Sequence, residues 1–503
     1  MKPFFLFSKE ESETKVANDR LFSYAFGLTG QNMTYSFIST RLFVFLNTIL
    51  GIPAKKTGMI TGISTLWDAI NDPLIGSIMD HRKYKPGYKM RPFLIWTAPI
   101  IGIISVLMFV DFGLTENQTV LMVLLLYLLF DAFYSFQDIA IWGLSALSTP
   151  SAVERRRVAQ WISIGAGTGG TIAGLYPMLK DMIVKSNAIS EKNTYLVFAL
   201  IFGLGGMLIS MLAYRMKEKV EYAPEDSHGV LKSLWNLRKN KTLIIICLAR
   251  IVQCLSLTLP WEYFFESEGI SYEVFGMTIS GGTAQVVFSY VIGIPGAIFN
   301  LFTVQAIKKF GSSKKLLVAA EIANFSTRIL AFAIGADERY KQLSYLLIAL
   351  SCIGTSQILT NMKGIAERAL LTNSVDEMEL KTGERTEGIT FSMQNFVSKL
   401  TGAIPKFIQG LMLTFMGFNE KLGTGGSDTI RAQTSARFLK YRWHQFILGP
   451  AIGSALYLIV ILFLQEDSAE HVAEVERLIQ EKRDAARLEA QAEKEEIPET
   501  VEA

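Results

Sequence analysis

The chain has 503 residues, of which 50% are hydrophobic and only 19% charged, with 49 Lys and Arg against 46 Asp and Glu for a net charge of +3. A soluble protein of that length carries more charge and does not repeat apolar runs of bilayer-crossing length, about 20 residues each, so the composition places the chain in a membrane. The small net charge gives no basis for nucleic-acid binding, and Cys247, Cys254 and Cys352 lie inside apolar runs without zinc or redox spacing, as packing residues do.

The opening MKPFFLFSKEESETK has too short an apolar run for a signal peptide, so the first span is expected to direct insertion itself. The pattern predicts an all-α membrane protein with twelve spans, at 21–50, 57–80, 92–112, 117–148, 157–180, 194–215, 241–265, 284–308, 314–335, 342–371, 386–417 and 443–465. Several exceed the bilayer thickness, which predicts tilt or breaks near a site. A polar linker at 216–240 separates six-helix bundles at 21–215 and 241–465, flanked by a terminus at 1–20 and a polar tail at 466–503. The loop KKFGSSKKLL in the second bundle echoes KYKPGYKMRPFL in the first, which suggests two parallel repeats.

Short basic loops set the orientation. HRKYKPGYKMR, ERRR and KKFGSSKK fall on one side, while the loops around Asp111 and from Glu266 to Gly282 carry no Lys or Arg. The basic side is expected to be cytoplasmic with both termini inside, although the outward loop from Lys421 to Arg442 is basic as well. The tail alternates Glu with Arg and Lys and reads as a solvated cytoplasmic helix with a disordered end, open to a cytoplasmic partner.

The second span stacks Thr61, Thr65, Asp68 and Asp72 at spacings of four, three and four, a polar stripe on an apolar cylinder. Each unpaired carboxylate at mid-bilayer costs roughly 2.5–3.5 kcal/mol, so the two imply a cation, a paired base or a water path. In the fourth span Asp131, Tyr134, Ser135, Asp138 and Trp142 share a face suited to a polyhydroxylated ligand: the carboxylates accept from hydroxyls and an aromatic ring covers a sugar face. The eleventh span aligns Ser392, Asn395, Lys399 and Lys406; Lys399 is a coupling candidate, whereas Lys406 reads as snorkelling. The first span adds Asn32, Tyr35 and Arg41, with Arg41 placed to pair with an Asp or meet an anionic ligand. Arg250, Glu321 and Arg328 read as structural. His81, His228, His444 and His471 have no metal spacing, and there is no phosphate loop or nucleophile elbow, so an ion gradient rather than ATP is expected to drive transport.

SYAFGLTGQN, WDAINDPLIG, the Tyr134 to Trp142 stretch and KTGERTEGITFSMQNFVSK together resemble the glycoside-pentoside-hexuronide:cation symporters, the melibiose permease group of the major facilitator superfamily, over about 20–465. The resemblance implies a cation site of Asp68, Asp72, Ser135 and Asp138, with Asp68, Asp72 and Asp138 as ligands of Na⁺ if sodium is the coupling ion. It implies sugar contacts at Asp138, Tyr134 and Trp142, and a lysine near the cation at Lys399. Two positions depart, Asn32 where the group has a galactoside-binding Asp and Ser163 where it has an Arg. Asn32 removes a repulsion that a uronic acid would feel, and Arg41 would then favour a carboxylate.

The reading is a secondary symporter, not an enzyme, that couples Na⁺ or H⁺ entry to uptake of a glycoside, pentoside or hexuronide, with no cofactor beyond the ion and membrane lipid as its surroundings. Rival readings are a same-fold symporter for a lysolipid or small amphiphile, and a sensor signalling through the tail.

Overall fold

Helix boundaries follow caps written in the sequence. Ser151, Ser190, Ser312 and Ser435 each accept the backbone N–H three residues on, and Thr115 with Gln118 forms a capping box. The computed structural model describes residues 12, 14–81, 83–220, 240–256, 258–299, 302–382, 387–418, 434–464, 470–475, 477–479 and 481. In chain order the helices are α1 (Asn18–Val44), α2 (Ala54–His81), α3 (Arg91–Leu107), α4 (Glu116–Leu147), α5 (Ala152–Gly174), α6 (Tyr176–Lys185), α7 (Glu191–Arg215), α8 (Lys241–Gln253) and α9 (Trp261–Phe265). A hairpin of β1 (Ser271–Val274) and β2 (Met277–Ser280) follows, then α10 (Gly281–Phe299), α11 (Thr303–Phe310), α12 (Ser313–Ile334), α13 (Leu343–Thr382), α14 (Glu387–Met416) and α15 (Ala436–Ile461). Among the described residues, five helices are long and apolar enough to cross a membrane by length and composition.

Breaks fall inside several expected spans. The 157–180 run splits at Leu175, where Pro177 follows at the start of α6, and the 241–265 run unwinds between Gln253 and Trp261 ahead of Pro260. Proline has no amide hydrogen to continue the ladder, so it sits at the first turn of the new helix. The hairpin was not expected from the sequence. Its two-residue turn, Phe275 and Gly276, has φ of 50° and 76°, the left-handed pair that closes tight hairpins.

Two hydrophobic clusters draw only on residues 16–216 and a third only on 243–464; the fourth joins Phe43, Val44 and Ala54 to 259–447. Along the seam, α2 packs on α14 at backbone contact distance. A Cβ on Gly58 would stand 2.7 Å from the Lys406 carbonyl oxygen, and one on Gly410 2.4 Å from that of Ala54, so neither position tolerates a side chain.

The end away from the basic loops is closed by polar contacts across the seam. Arg41 pairs with Glu262, the Tyr263 hydroxyl donates to Asn47 Oδ1 at 3.0 Å, Lys180 Nζ lies 2.9 Å from Glu266 Oε1, and Tyr290 donates to the Thr171 carbonyl at 2.7 Å. Beyond the last helix, residues 470–475 and 477–479 are helical with Val475 and Ile479 buried, so this start of the tail is packed on one face rather than solvated all round. The basic stretch 421–433, which ran against the expected orientation, lies outside the described residues, and Arg442 is a buried member of α15.

Candidate functional site

Asp68, Asn32, Asp131 and Lys399 each sit near the middle of α2, α1, α4 and α14, so the four helices deliver their polar groups to one height. Lys399 is the hub. Its ammonium lies 3.0 Å from Asp68 Oδ2 and also contacts Asp72 Oδ2, bridging the two carboxylates one helical turn apart. These groups are 25–31% exposed, which leaves them within reach of water.

Asp138 lies beside this triad rather than in it. Its Oδ1 accepts from Gln31 Nε2 and from Trp142 Nε1, both at 2.9 Å, and Oδ2 has no hydrogen-bond partner among the described residues. Among the described residues no three His, Cys, Asp or Glu side chains converge as a metal site, so Asp68, Asp72 and Asp138 are not gathered on one point. The reason is charge balance: one ammonium serves two carboxylates, and the third is held by neutral donors instead. Tyr35 stacks on Tyr134 at 5.2 Å, and Trp142 is 41% exposed.

The remaining expected residues have structural partners. Ser135 is buried, donates to the Asp131 carbonyl at 2.9 Å and accepts from Asn71 Nδ2 at 3.0 Å, so its hydroxyl holds α2 to α4 and bonds neither Asp68 nor Asp72. Asn32 donates to the Leu28 carbonyl of its own helix, and Ser163 to that of Ala159. Arg41 is 5% exposed and paired with Glu262, so it is not presented to an anionic ligand. Lys406 does not snorkel: it reaches across the seam to Thr65 Oγ1 at 2.8 Å and faces the charges of Asp131 and Asp68. The side chains of Ser392 and Asn395 lie outside the described residues.

Sequence reading missed Gln31, Ser64 and Asn71. Ser64 donates to Asp131, and Asn71 lies seven residues on, two turns along the same side of α2. Gln31 sits four before Tyr35 and thus on its face; those offsets were the available signal.

A model of the MFS/sugar transport protein family matches residues 23–465. The chain belongs to that family. As an MFS sugar transport protein it is an integral membrane protein of several helices and a transporter, not an enzyme. It is 26% identical to the raffinose carrier protein of Pediococcus pentosaceus over 93% of this chain and 73% of that one. It is 25% identical to a putative sulfoquinovose importer of Escherichia coli (strain K12) over 79% and 81%. Among solved structures, the inward open xylose transporter XylE from E. coli superposes with a TM-score of 0.53 at 12% identity over 92% of this chain and 99% of that one, which shows the shared fold.

In this MFS transporter the closed end carries its own titration. Glu266 follows α9 outside the spans; burial pushes its carboxyl up from the ordinary 4.5 to about 8, with Lys180 opposing and Glu262 adding to the shift. Once that end opens to water the group returns to its ordinary range, so the closed form binds more protons between those values. Closure is fully supported below about pH 4.5, and that support is lost as pH rises to about 8. Fluorescent labels at Ser186 and Phe275, on opposite sides of the seam, are expected to report a growing separated population across that window. Glu266→Gln is expected to flatten the profile.

Proposed function

We propose that this chain is a secondary symporter in which Na⁺ or H⁺ entry drives uptake of a glycoside, pentoside or hexuronide by alternating access. The observation that carries the reading is the Lys399 ammonium held between Asp68 and Asp72, beside an Asp138 whose Oδ1 takes both of its hydrogen bonds among the described residues. An arriving cation competes with Lys399 for the two carboxylates. Released, Lys399 no longer ties α14 to α2, which removes the charged contact of that seam and leaves Lys406 on Thr65 as its neutral one.

Asp138 Oδ2 then accepts from sugar hydroxyls, while Trp142 and the Tyr35–Tyr134 stack cover the apolar ring face. The moving bodies in this account are the bundles 21–215 and 241–465, joined through 216–240, with the basic end, both termini and the tail in the cytoplasm. The raffinose and sulfoquinovose names of the relatives support a sugar as cargo.

Uptake into proteoliposomes across a panel of methyl glycosides and uronides, with and without an imposed Na⁺ or proton gradient, tests this. Gradient-dependent accumulation is the expected result; uptake that only equilibrates under every gradient rejects it. Trp142→Phe removes the donor to Asp138 and is expected to weaken apparent sugar affinity roughly tenfold, the size of one charge-assisted hydrogen bond, with cation dependence retained.

A further inference from the structure

We infer that each transport cycle carries a second cation, Na⁺ or H⁺, and that Asp131 of α4 seats it in a tier of its own, outside the Lys399 bridge. This deepens the proposed function and rests on it.

Asp131 is the exception among the buried acids. Five carboxylate side chains are buried among the described residues, and four have an ion-pair partner: Glu191 with Lys180, Glu262 with Arg41, Glu321 with Lys363 and Glu367 with Arg250. Asp131, 7% exposed, has none, and the Ser64 hydroxyl donates to its Oδ2 instead. A carboxylate buried in a bilayer without a counter-charge is costly to keep, and such groups mark ion and proton paths.

An ammonium stands close by and is held elsewhere. Lys406 of α14 is fastened at 2.8 Å to Thr65, the neighbour of Ser64 on α2, and forms no ion pair among the described residues. Consecutive residues are about 100° apart around a helix, so α4 and α14 bring Asp131 and Lys406 to adjoining sides of α2. The arrangement repeats the Lys399 bridge one level out. Ser64 precedes Asp68 by four residues, Asp131 precedes Asp138 by seven, and Lys406 follows Lys399 by seven on a helix antiparallel to α2. All three offsets lead toward the closed end, so the outer tier lies one to two turns, roughly 5–11 Å, nearer to it. Each tier combines carboxylate oxygen with an α14 ammonium that competes with an arriving cation. The outer tier adds Ser64 Oγ and Thr65 Oγ1, oxygens of the kind hard cations take.

Charge balance gives the number. Across the middle of α1, α2, α4 and α14, Asp68, Asp72, Asp131 and Asp138 stand against Lys399 and Lys406, a surplus of two negative charges. One cation at the bridge leaves one charge unbalanced, and a second removes it. Asp138 keeps its charge among two neutral donors, Gln31 and Trp142, whereas Asp131 has the Ser64 hydroxyl, so the second seat falls to Asp131. The charges acting on Asp131 are those of Lys406 and Lys399 on α14 and Asp68 on α2, with Tyr127 one turn back on α4.

The test counts cations on the full-length purified protein: radiolabelled Na⁺ bound at alkaline pH, and protons taken up on an acid jump in unbuffered, Na⁺-free solution, read as the difference between wild type and Asp131→Asn. Wild type is expected to bind two cations, Asp131→Asn one and Asp131→Glu two, which tells a lost seat from a lost fold. Two Na⁺ give both tiers to sodium; one Na⁺ with one proton of difference gives Asp131 to a proton, and either supports the inference. In proteoliposomes with equal cation on both sides, the potential that halts net flux of an accumulated neutral methyl glycoside is expected to be about 30 mV per tenfold sugar gradient in wild type and about 59 mV in Asp131→Asn. One cation and about 59 mV in wild type overturn the inference and leave symport standing, as does an unchanged count of two in Asp131→Asn. Two cations bound without gradient-driven uptake reject symport and leave Asp131 its seat. Binding of neither ion rejects both.

Discussion

Asp72→Asn is expected to abolish cation-driven accumulation while the protein still folds and inserts. The substitution keeps the shape of the side chain and removes one of the two charges that Lys399 bridges. Lys399 then stays with Asp68 at 3.0 Å, and a single carboxylate has no surplus charge to offer a cation. A charge-assisted contact of this kind contributes ~2–3 kcal/mol, so the cation-dependent part of uptake is expected to fall roughly 30- to 150-fold. Exchange of labelled for unlabelled sugar, which needs no net cation movement, is expected to persist. Lys399→Gln runs the other way: without its built-in competitor the pair Asp68 and Asp72 is expected to bind Na⁺ or H⁺ more tightly and release it slowly. Titration of cation affinity in the two variants, with opposite signs, separates a functional pair from a structural brace.

The second large effect is expected at the closed end. Arg41 and Glu262 are 7% and 4% exposed at their side chains, and each is the other's charge partner. Arg41→Met leaves Glu262 buried alone, which costs ~3–5 kcal/mol, so the closed arrangement is expected to lose more than 100-fold in population. Arg41→Met combined with Glu262→Leu removes both charges and is expected to restore closure nearly to the starting level. The separation of labels at Ser186 and Phe275 reads both outcomes. If the double variant opens as far as the single one, the pair matters for packing rather than charge.

Much of this was legible in the chain. The four-residue stripe on α2 and the three-four-seven spacing on α4 put Asp68 with Asp72, and Tyr134 with Asp138 and Trp142, on shared faces, because helical periodicity alone decides which side chains share a side. Lys399 stood out as a charge in an apolar run. What the spacing did not determine was pairing between helices. Arg41 finds Glu262, 221 residues away, and Lys406 finds Thr65, 341 away; no local pattern encodes such distances. Ser135 looked like a site hydroxyl because it lies on the right face, yet its burial turns it toward Asn71 and the backbone of α4. Arg328 was read as structural since it sits seven residues after Glu321; the structure gives Glu321 to Lys363 instead. The hairpin escaped because its turn rests on Phe275 adopting a left-handed conformation, which sequence statistics disfavour for an aromatic residue.

The account depends on one linkage, that the cation and the sugar strengthen each other's binding through the Asp68–Lys399–Asp72 bridge. Calorimetric titration of the purified protein with the transported panel sugar, with and without Na⁺ and at acid and alkaline pH, measures it directly. The expected result is a gain in sugar affinity of about 5- to 150-fold on cation binding, matched by the reciprocal gain for the cation and absent in Asp72→Asn. Sugar affinity in the wild type that is the same under every cation condition would contradict it.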